Sequence, residues 1–482
     1  MGSILRAAKA TDIRKICIIG SGPSGLAAAK HLLAENSFDT IDILEQQAEI
    51  GGVWNYTPPI TEHVPVPQTT PETLPDKPIW PKDGTAPIFS NPMYETLNTN
   101  IPKGLMNFSD LEFPADSLLF PTRQDVQKYL LRYAQDVRHL IQFSTQVEEI
   151  RHSTADGQDQ WNVRYSSCIT SEKREQVYDA LVVACGHYSV AFIPEVPGIE
   201  AFNSAYPEII SHSKTYRSPA YFKGKKVIVV GAGPSGLDIG TQISQVSQKP
   251  LLNSVRKSSP FNSGQEDKEE VPAIAEYLIE ERGVKFTDGR VERDIDAIVY
   301  CTGYLYSYHF LTPLDPPVVT DGRRARGLYR QLFNITYPSI AFTALSQRVI
   351  PFPLSEGQGA AIAKVWSNKL ALPSKEEMFE LEQKQVDELG DGTGFHLLPY
   401  PKDAAYINDL HDWVKSAKGG FTKPPAFWNE KQCWVRENFG EMRKAFIAGG
   451  KKAKSMEELG FDYEKKEKLE EWTIIHEVPK AT

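Results

Sequence analysis

Short apolar runs that end at glycine-rich segments occur twice in the chain and predict buried strands. Residues 16–19 read Ile-Cys-Ile-Ile and residues 226–230 read Lys-Val-Ile-Val-Val, and glycine follows each run at once. Continuous apolar runs of this length are typical of strands covered on both faces, as in a parallel sheet. The stretch 26–33, behind the first glycines, has a helical pattern. This order of strand, turn and helix predicts an α/β fold.

The remaining pattern predicts further elements around these two units. Residues 122–125 resemble a capping box, and apolar positions at helical spacing follow over 123–141. The other predicted elements are strands at 143–150, 161–165, 178–184, 295–301 and 332–345, and helices at 357–372, 375–389, 405–417 and 427–447. Residues 58–87 hold nine prolines, which exclude a helix or a central strand. We expect a surface excursion there, acting as a spacer, a lid or a partner contact.

The first glycine segment, Gly20-Ser-Gly22-Pro23-Ser24-Gly25, has the spacing of a dinucleotide-binding fingerprint. Its first glycine permits a tight turn, its second admits a pyrophosphate, and its third lets the helix pack on the strand. The helix N-terminus directs free N–H groups at the phosphates. A second apolar run, 40–44, ends in Glu45, 20 residues after Gly25. An acid there accepts hydrogen bonds from a ribose 2′-hydroxyl and repels a 2′-phosphate, as a site for FAD or NAD requires.

The second glycine segment, Gly231-Ala-Gly233-Pro234-Ser235-Gly236, repeats the fingerprint with a different residue at the ribose position. Arg256 lies 20 residues after Gly236. A cation at this place suits the 2′-phosphate of NADP. We therefore predict two nucleotide sites in one chain, the first for an unphosphorylated ribose and the second for NADPH.

Composition narrows the class of protein. The 482 residues suffice for two or three domains, and 41% hydrophobic with 24% charged residues is typical of a globular protein. A net charge of −9 argues against nucleic acid or an anionic membrane as the main partner. The sequence has no run of about 18 apolar residues, so we expect no membrane span, and its start resembles no signal peptide. Five scattered cysteines without a C-x-x-C pair fit a reducing compartment, so we expect a cytoplasmic protein.

Six further segments accompany the fingerprints: Gly51-Gly52-Val53-Trp54, Leu97-Asn-Thr99-Asn100-Ile-Pro-Lys, Val183-Ala-Cys-Gly-His187, His212-Ser-Lys-Thr-Tyr216-Arg217, Tyr300-Cys-Thr302-Gly303-Tyr304 and Glu356-Gly-Gln358. As a set they resemble the flavin-containing monooxygenases, over about residues 14 to 373. This family uses FAD and NADPH to oxygenate soft nitrogen or sulfur centres. The resemblance is strongest to the shorter microbial and fungal-type members.

The resemblance implies two dinucleotide-binding, Rossmann-like domains, with the NADPH domain inserted into the FAD domain. The connection 188–222 leads into the second fingerprint, and the run 295–301 closes that unit before the chain returns. We predict a first part of the FAD-binding domain at 1–205 and the NADPH-binding domain at 206–300. The second part of the FAD-binding domain, with C-terminal helices, is predicted at 301–482.

The resemblance also implies the residues of the site. Cofactor-binding roles fall on Gly20, Gly22, Pro23, Ser24, Gly25, Glu45, Gly52, Val53, Trp54, Thr99, Asn100, Val147, Gly231, Gly233, Pro234, Ser235, Gly236, Arg256, Thr302 and Gly303. Asn100, beside the flavin and the nicotinamide, is the implied catalytic residue. Without the family context, Asn100 is more typical of a turn and Trp54 of a core aromatic. His212 alone is more typical of a linker than of a proton donor.

Two positions depart from the family's identifying pattern, F-x-G-x-x-x-H-x-x-x-Y/F. His212 and Tyr216 match its second half, but Tyr206 stands where phenylalanine is expected and Glu208 where glycine is. Because of this departure, the sequence does not predict the conformation of the local turn. The departure does not exclude the class, since the related Baeyer–Villiger oxygenases carry tryptophan at the place of Tyr216.

The implied activity is that of an FAD- and NADPH-dependent monooxygenase. Its reduced flavin would trap O₂ as a C4a-hydroperoxide and oxygenate an amine nitrogen or a thioether or thiol sulfur of a small molecule. No metal is expected, since the sequence shows no H-E-x-x-H motif and no metal-ligand cluster. A Baeyer–Villiger-type oxygenase acting on ketones and a non-catalytic NADPH-sensing flavoprotein remain alternatives, whereas a disulfide reductase lacks its cysteine pair. Family members often pair, so the resemblance allows a homodimer.

Overall fold

The computed structural model describes residues 12–59, 64–82, 84, 86–256 and 267–464. The strands, in chain order, are β1 Lys15–Ile19, β2 Thr40–Leu44, β3 Ile141–Gln142, β4 Thr145–Ala155, β5 Gln158–Ser167, β6 Lys173–Tyr178, β7 Ala180–Val183, β8 Val190–Ala191, β9 Ile210–His212, β10 Val227–Val230, β11 Leu251–Ser254, β12 Lys268–Val271, β13 Ile274–Leu278, β14 Gly283–Phe286, β15 Val291–Glu292, β16 Ala297–Tyr300, β17 Tyr304–Leu305, β18 Leu328–Tyr329, β19 Phe333–Asn334 and β20 Ile340–Phe342. The helices are α1 Pro23–Glu35, α2 Lys103–Met106, α3 Arg123–Tyr133, α4 Ile199–Ala205, α5 Pro234–Ser244, α6 Pro351–Trp366, α7 Lys375–Leu389, α8 Lys402–Lys415 and α9 Glu430–Ala448.

The larger sheet has the strand order β18-β19-β20-β7-β1-β2-β3. Its centre is β1, which pairs in parallel with β2 on one side and β7 on the other, so that Ile16 lies beside Ile41 and Ala180. Every residue of β1 after Lys15 is buried, as its apolar run predicted. The parallel strands end at one edge, where the turn into α1 lies.

The smaller sheet has the order β12-β11-β10-β16-β9, and all its pairs are parallel. It consists only of strands between residues 210 and 300, whereas strands of the larger sheet precede and follow it in the chain. The predicted class of two Rossmann-like units, the second inserted into the first, is confirmed. The predicted boundaries at 205/206 and 300/301 stay predictions.

The two crossings between the sheets lie side by side. Strand β8, on the way out, pairs antiparallel with β17, on the way back, so that Ala191 lies beside Tyr304. The connection predicted at 188–222 therefore contains β8, α4 and β9, the last of which forms an edge of the smaller sheet. The pairing of β8 with β17 was not predicted, because a two-residue strand shows almost no periodic pattern.

Helix α6 is the main support of the larger sheet's fingerprint helix. All of its residues except Pro351 are buried, and it packs so closely on α1 that a Cβ at Gly359 would lie 2.9 Å from the Cα of Ala28. Its predicted start at 357 was six residues late. Pro351 and Pro353 lie in the first turn of α6, where a helix tolerates proline because those N–H groups have no intrahelical acceptor.

Helix α3 begins as predicted and ends earlier. Thr122 and Asp125 form the predicted capping box. The helix stops at Tyr133 and only a short 3₁₀ turn, Arg138–Leu140, continues the pattern to 141. The described part of the proline-rich stretch 58–87 contributes only isolated bridges, such as the one between Gln68 and Ile193.

Candidate cofactor site

The turn after β1 can be built only from glycine at its first and third positions. Gly20 has φ +102°, and a Cβ there would lie 2.8 Å from the carbonyl oxygen of Ala184 at the end of β7. A Cβ on Gly25 would lie 2.0 Å from the carbonyl oxygen of Gly20. Both distances are far below van der Waals contact, so side chains there would force the turn open. The helix thereby comes close to the strand, as the fingerprint predicted.

The N-terminus of α1 faces the second glycine pair rather than a side-chain cap. Gly22 is the N-cap residue, and no side chain accepts from the first N–H groups. A Cβ on Gly52 would lie 3.0 Å from the Cα of Gly22, so the two backbones pack directly against each other beside the α1 N-terminus. Pro23 and Ser24 form the first turn, and the 3₁₀ turn Gly52–Trp54 places Val53 and Trp54, both half-buried, beside it. Uncapped N–H groups with a positive dipole end suit a pyrophosphate.

Glu45 lies at the carboxyl end of β2, directly beside this turn. Its side chain is buried and accepts hydrogen bonds from the backbone N–H of Ser21 at 2.7 Å, the Ser21 hydroxyl at 2.9 Å and the Gln47 N–H at 2.8 Å. Burial raises the pKa of the Glu45 carboxyl, although these donors oppose the shift. The carboxyl is thus held in a fixed position beside the glycine turn. Its role as the ribose acceptor stays a prediction.

Helix α3 joins the two predicted flavin-side segments, although sequence reasoning assigned it only a core role. Gln127 donates to the carbonyl of Ile50 and, at 3.1 Å, to the Asn55 side chain, and so holds the turn that contains Gly51 and Gly52. One turn earlier, the N–H of Arg123 donates to the Leu97 carbonyl at 3.1 Å. No sequence signal could have found Gln127, because its partners lie about seventy residues away in the chain.

Thr99 and Asn100 lie on the segment that α3 holds. The Thr99 N–H donates to Pro121 at 2.8 Å, and its hydroxyl donates to the Ile101 carbonyl at 2.8 Å. Thr99 is buried, whereas the side chain of Asn100 is exposed. A fixed backbone with an exposed amide is compatible with a donor that faces a ligand. Its catalytic role stays a prediction.

The second turn repeats the geometry of the first. Gly231 has φ +117°, and a Cβ there would lie 2.7 Å from the carbonyl oxygen of Cys301, while a Cβ on Gly236 would lie 2.2 Å from that of Gly231. Gly233 is the N-cap of α5, again without a side-chain cap, and has no heavy atom within 4 Å of a Cβ built on it. Pro234 and Ser235 are exposed. Arg256, two residues beyond β11, is exposed at the same edge of the sheet.

Thr302 and Gly303 lie at the crossing between the two units. The Thr302 hydroxyl donates to the Phe192 carbonyl, and the Gly303 carbonyl accepts from the Phe192 N–H at 2.9 Å. The Gly303 carbonyl also lies 3.1 Å from Nε2 of His212. Burial lowers the pKa of His212 to about 3, and its Nδ1 accepts from the Lys214 N–H at 3.0 Å. A neutral imidazole with both nitrogens engaged favours the linker interpretation of His212.

Val147 lies on β4 near the end of β2, since the N–H of Thr145, two residues before it, donates to the Glu45 carbonyl at 2.8 Å. It is buried in the apolar core between the larger sheet and strands β4 to β6, and its backbone carbonyl lies 3.4 Å from Nε2 of His309. Its cofactor role stays a prediction.

The turn put in question by Tyr206 and Glu208 is closed normally, since the Ile209 N–H donates to the Tyr206 carbonyl at 3.2 Å. Glu208 is exposed, whereas the Tyr206 ring is partly buried against Phe202 and its hydroxyl donates to the Ile279 carbonyl at 3.1 Å.

Within the described ranges, no three His, Cys, Asp or Glu side chains cluster so as to hold a metal ion. Over the same part of the chain, no helix is long and apolar enough to cross a membrane.

Two glycine turns at the carboxyl ends of parallel strands, with the second unit inserted into the first, are typical of a flavin- and nicotinamide-dependent oxidoreductase. Comparison with known proteins narrows this class. The family described as "Flavin-binding monooxygenase-like" matches residues 80–267 and 271–418, and the "NAD(P)-binding Rossmann-like domain" matches residues 18–66. The chain belongs to the flavin-containing monooxygenases, and its cofactors are FAD and NADPH.

Individual relatives cover most of the chain. The flavin-containing monooxygenase FMO GS-OX-like 2 of Arabidopsis thaliana is 31% identical over 83% of this chain and 85% of its own length. The thiol-specific monooxygenase of Saccharomyces cerevisiae is 29% identical over 89% of this chain and 91% of its own. Among solved structures, the S-allyl-L-cysteine S-oxygenase of Allium sativum is 28% identical with a TM-score of 0.72, over 89% of this chain and 93% of that one.

Proposed function

We propose that this protein oxygenates a soft nucleophile of a small molecule with O₂, at the expense of NADPH, and that sulfur in a thiol or thioether is its target in preference to amine nitrogen. The observation that carries the proposal is the pair of uncapped helix N-termini at Gly22 and Gly233, joined through the crossing at Thr302 and Gly303. Two relatives named for thiol and S-allyl-L-cysteine oxygenation support the choice of sulfur.

The residues at the first turn fit FAD. The uncapped N-terminus of α1, with only glycine backbone from Gly22 and Gly52 beside it, would take a pyrophosphate. Glu45, fixed by Ser21, is the acceptor for the adenosine ribose. Trp54 and Val53 would form one wall of the same site. When bound and reduced, FAD would supply the oxygen-activating and oxygen-transferring chemistry.

The residues at the second turn fit NADPH. The space around Gly233 is open, so the phosphates approach the α5 N-terminus without displacing a side chain. Arg256 binds the 2′-phosphate with charge-assisted hydrogen bonds. Asn100, held at the junction through Thr99 and α3, donates its amide to the reacting edge of the flavin. The protein otherwise keeps water away from this edge, and the reaction needs neither a metal nor an acid–base pair of side chains.

The test is stopped-flow absorbance of the purified holoprotein, reduced with NADPH and then mixed with oxygenated buffer. A C4a-adduct band that persists without substrate, and decays faster with thiols and thioethers than with amines, is expected. Faster decay with ketones would assign the protein to the Baeyer–Villiger oxygenases. Direct reoxidation without an adduct would contradict oxygenation and leave the NADPH-sensing alternative. The cytoplasmic location and the homodimer stay predictions.

A further inference from the structure

A short segment between the two units, residues 94–98, is bound to both of them. On the side of the second unit, the Tyr94 hydroxyl donates to the carboxylate of Asp238, and the Thr96 hydroxyl donates to the side-chain oxygen of Gln242 at 2.9 Å. Asp238 and Gln242 lie one turn apart on α5, and the Gln242 amide donates to Asp238 at 3.0 Å. The middle and C-terminal part of α5 therefore hold the segment, on the helix whose N-terminus is the proposed phosphate site.

A third element closes the same cluster. Arg443, on α9, lies 3.9 Å from the Asp238 carboxylate and donates to the Asn98 carbonyl at 3.5 Å. Its guanidinium is mostly shielded from solvent by Phe120 and Phe446, with 13% of the side chain exposed. Shielding from water strengthens such charge contacts. Asp238 is thus contacted by Tyr94 and Arg443 at once.

The other end of segment 94–98 runs directly into Thr99 and Asn100. The backbone in between is fixed, since Leu97 accepts from the Arg123 N–H and Thr99 donates to Pro121. Tyr94 is itself buried, with its ring edge-on to Tyr216 at 5.4 Å. A displacement of α5 would strain the partly buried hydrogen bond between Tyr94 and Asp238, and this strain would act on the segment that leads to Asn100.

We propose that segment 94–98 couples the two cofactor sites, with Asp238 as the positioning residue through which NADP(H) on α5 sets the placement of Asn100. The inference rests on the proposed NADPH site at the second turn, and it concerns residues to which no family pattern considered above assigns a role. Occupancy of the α5 N-terminus restrains the segment further, and the restraint extends to the Asn100 amide. Without the Tyr94 hydroxyl both cofactor sites still form, but NADP(H) bound at α5 no longer affects the placement of Asn100.

Hydrogen–deuterium exchange of the FAD-loaded protein, with and without NADP⁺, tests the coupling without turnover. In the parent protein NADP⁺ should slow exchange at both 231–236 and 94–100, by about fivefold or more. In Tyr94→Phe the protection at 231–236 should remain and that at 94–100 should fall to the level without NADP⁺. Tyr337→Phe is the matched control, because it removes a hydroxyl that donates to Asp315, away from α5. It should behave as the parent.

The outcomes separate this inference from the proposed function. Absence of protection at 231–236 in the parent would refute the NADPH site itself. Protection at 231–236 without any at 94–100, or equal protection of 94–100 in the parent and in Tyr94→Phe, would overturn the coupling alone. Asp238→Asn gives a second route, since it removes the charge facing Arg443 and keeps the side chain's size.

Kinetics give a readout that a purely structural role would not move. With either variant, the rate constant of flavin reduction at saturating NADPH should fall about tenfold, because small errors in placement are costly. The FAD content and the dissociation constant for NADP⁺ should change by less than about twofold. A variant that loses FAD, or one that binds NADP⁺ weakly but reduces at the parent's rate, would contradict a positioning role for Asp238.

Discussion

The two glycine turns have nearly the same backbone and very different surroundings. In each, the third glycine approaches the carbonyl oxygen of the first, to 2.0 Å at Gly25 and 2.2 Å at Gly236 for an added Cβ. At the first turn, the backbone of Gly52 packs against Gly22, and helix α1 is covered by the buried helix α6. The second is open at Gly233, and its helix α5 is covered by the short 3₁₀ turn Pro219–Phe222 and by segment 94–98.

The difference fits the proposed assignment of a tightly held cofactor to the first turn and an exchanging one to the second. A ligand whose site is covered leaves only after local opening, whereas a ligand at an open edge exchanges without such a cost. The covering elements therefore support the proposal that FAD binds at the first turn and NADPH at the second, in addition to the proposed roles of Glu45 and Arg256.

The largest effect is expected from matched alanine substitutions at the two third glycines. Gly25→Ala should yield protein without FAD, because the methyl group forces α1 away from β1 and into α6. Gly236→Ala should keep FAD and weaken NADPH binding about 5- to 150-fold, since overpacking of about 1–3 kcal/mol is concentrated at the phosphate-binding turn. The FAD-to-protein absorbance ratio and an NADPH titration measure the two losses. Equal FAD loss in both variants would refute the assignment of the turns.

A smaller effect, confined to one nucleotide, is expected at Arg256. Arg256→Ala should raise the KM for NADPH about 10- to 100-fold and leave that for NADH nearly unchanged, because a charge-assisted hydrogen bond contributes about 1.5–3 kcal/mol. Steady-state oxidation of both nucleotides measures the ratio. Arg326→Ala, which removes another partly exposed arginine, is the control. If NADPH and NADH were affected alike, the 2′-phosphate would not be bound there.

The next effect concerns the product rather than binding. Asn100→Ala should retain FAD and NADPH affinity but divert a large part of the NADPH into H₂O₂, since the amide no longer faces the reacting flavin edge. Substrate product and H₂O₂ are measured per NADPH consumed. Asn162→Ala is the control, because its side chain donates to Glu175 on a neighbouring strand, away from segment 94–98, and it should keep the parent's product yield. An unchanged product yield in Asn100→Ala would remove its assigned role.

The sequence predicted those features of the two turns and their surroundings that depend only on residues close together in the chain. The glycine spacings, the strand at 40–44 and the helix at 375–389 have the predicted bounds, because turn sterics and apolar periodicity are local. The contacts that separate the two turns could not be predicted in this way. Gln127 meets Ile50, Tyr94 meets Asp238, and Gly359 meets Ala28 across separations that no period encodes.

The burial of polar side chains also could not be predicted from the sequence. The segment Glu356-Gly-Gln358 was recognised by resemblance, but nothing in it predicted that the Glu356 carboxyl would be fully buried in α6. There it accepts from the Ser109 N–H at 2.9 Å and from the Ser109 hydroxyl at 2.8 Å. Burial raises the pKa of Glu356 to about 7, and nearby Asp110 adds to the shift, while Lys423 opposes it.

The smallest expected effect is a pH-dependent change in stability caused by the Glu356 carboxyl. It concerns helix α6, which supports the first glycine turn, and does not extend to the second. Because the folded-state pKa of about 7 lies above the model-compound value of 4.5, the folded state binds the proton more tightly than the unfolded state. The resulting stability is fully present below about pH 4.5 and is lost as the pH rises towards 7. By linkage the loss is at most about 3 kcal/mol.

Glu356→Gln tests this difference, because the amide keeps the shape and can still bond Ser109. Relative to the parent, the variant should gain unfolding free energy on going from pH 5 to pH 8, measured by urea denaturation of the holoprotein. Glu437→Gln, on α9, should show no such gain. Hydrogen exchange at pH 8 should be slower in α1 and α6 of Glu356→Gln and unchanged in α5, since only the first turn rests on α6. A pH-independent difference from the parent, or equal slowing in α5, would show that the two turns share one support.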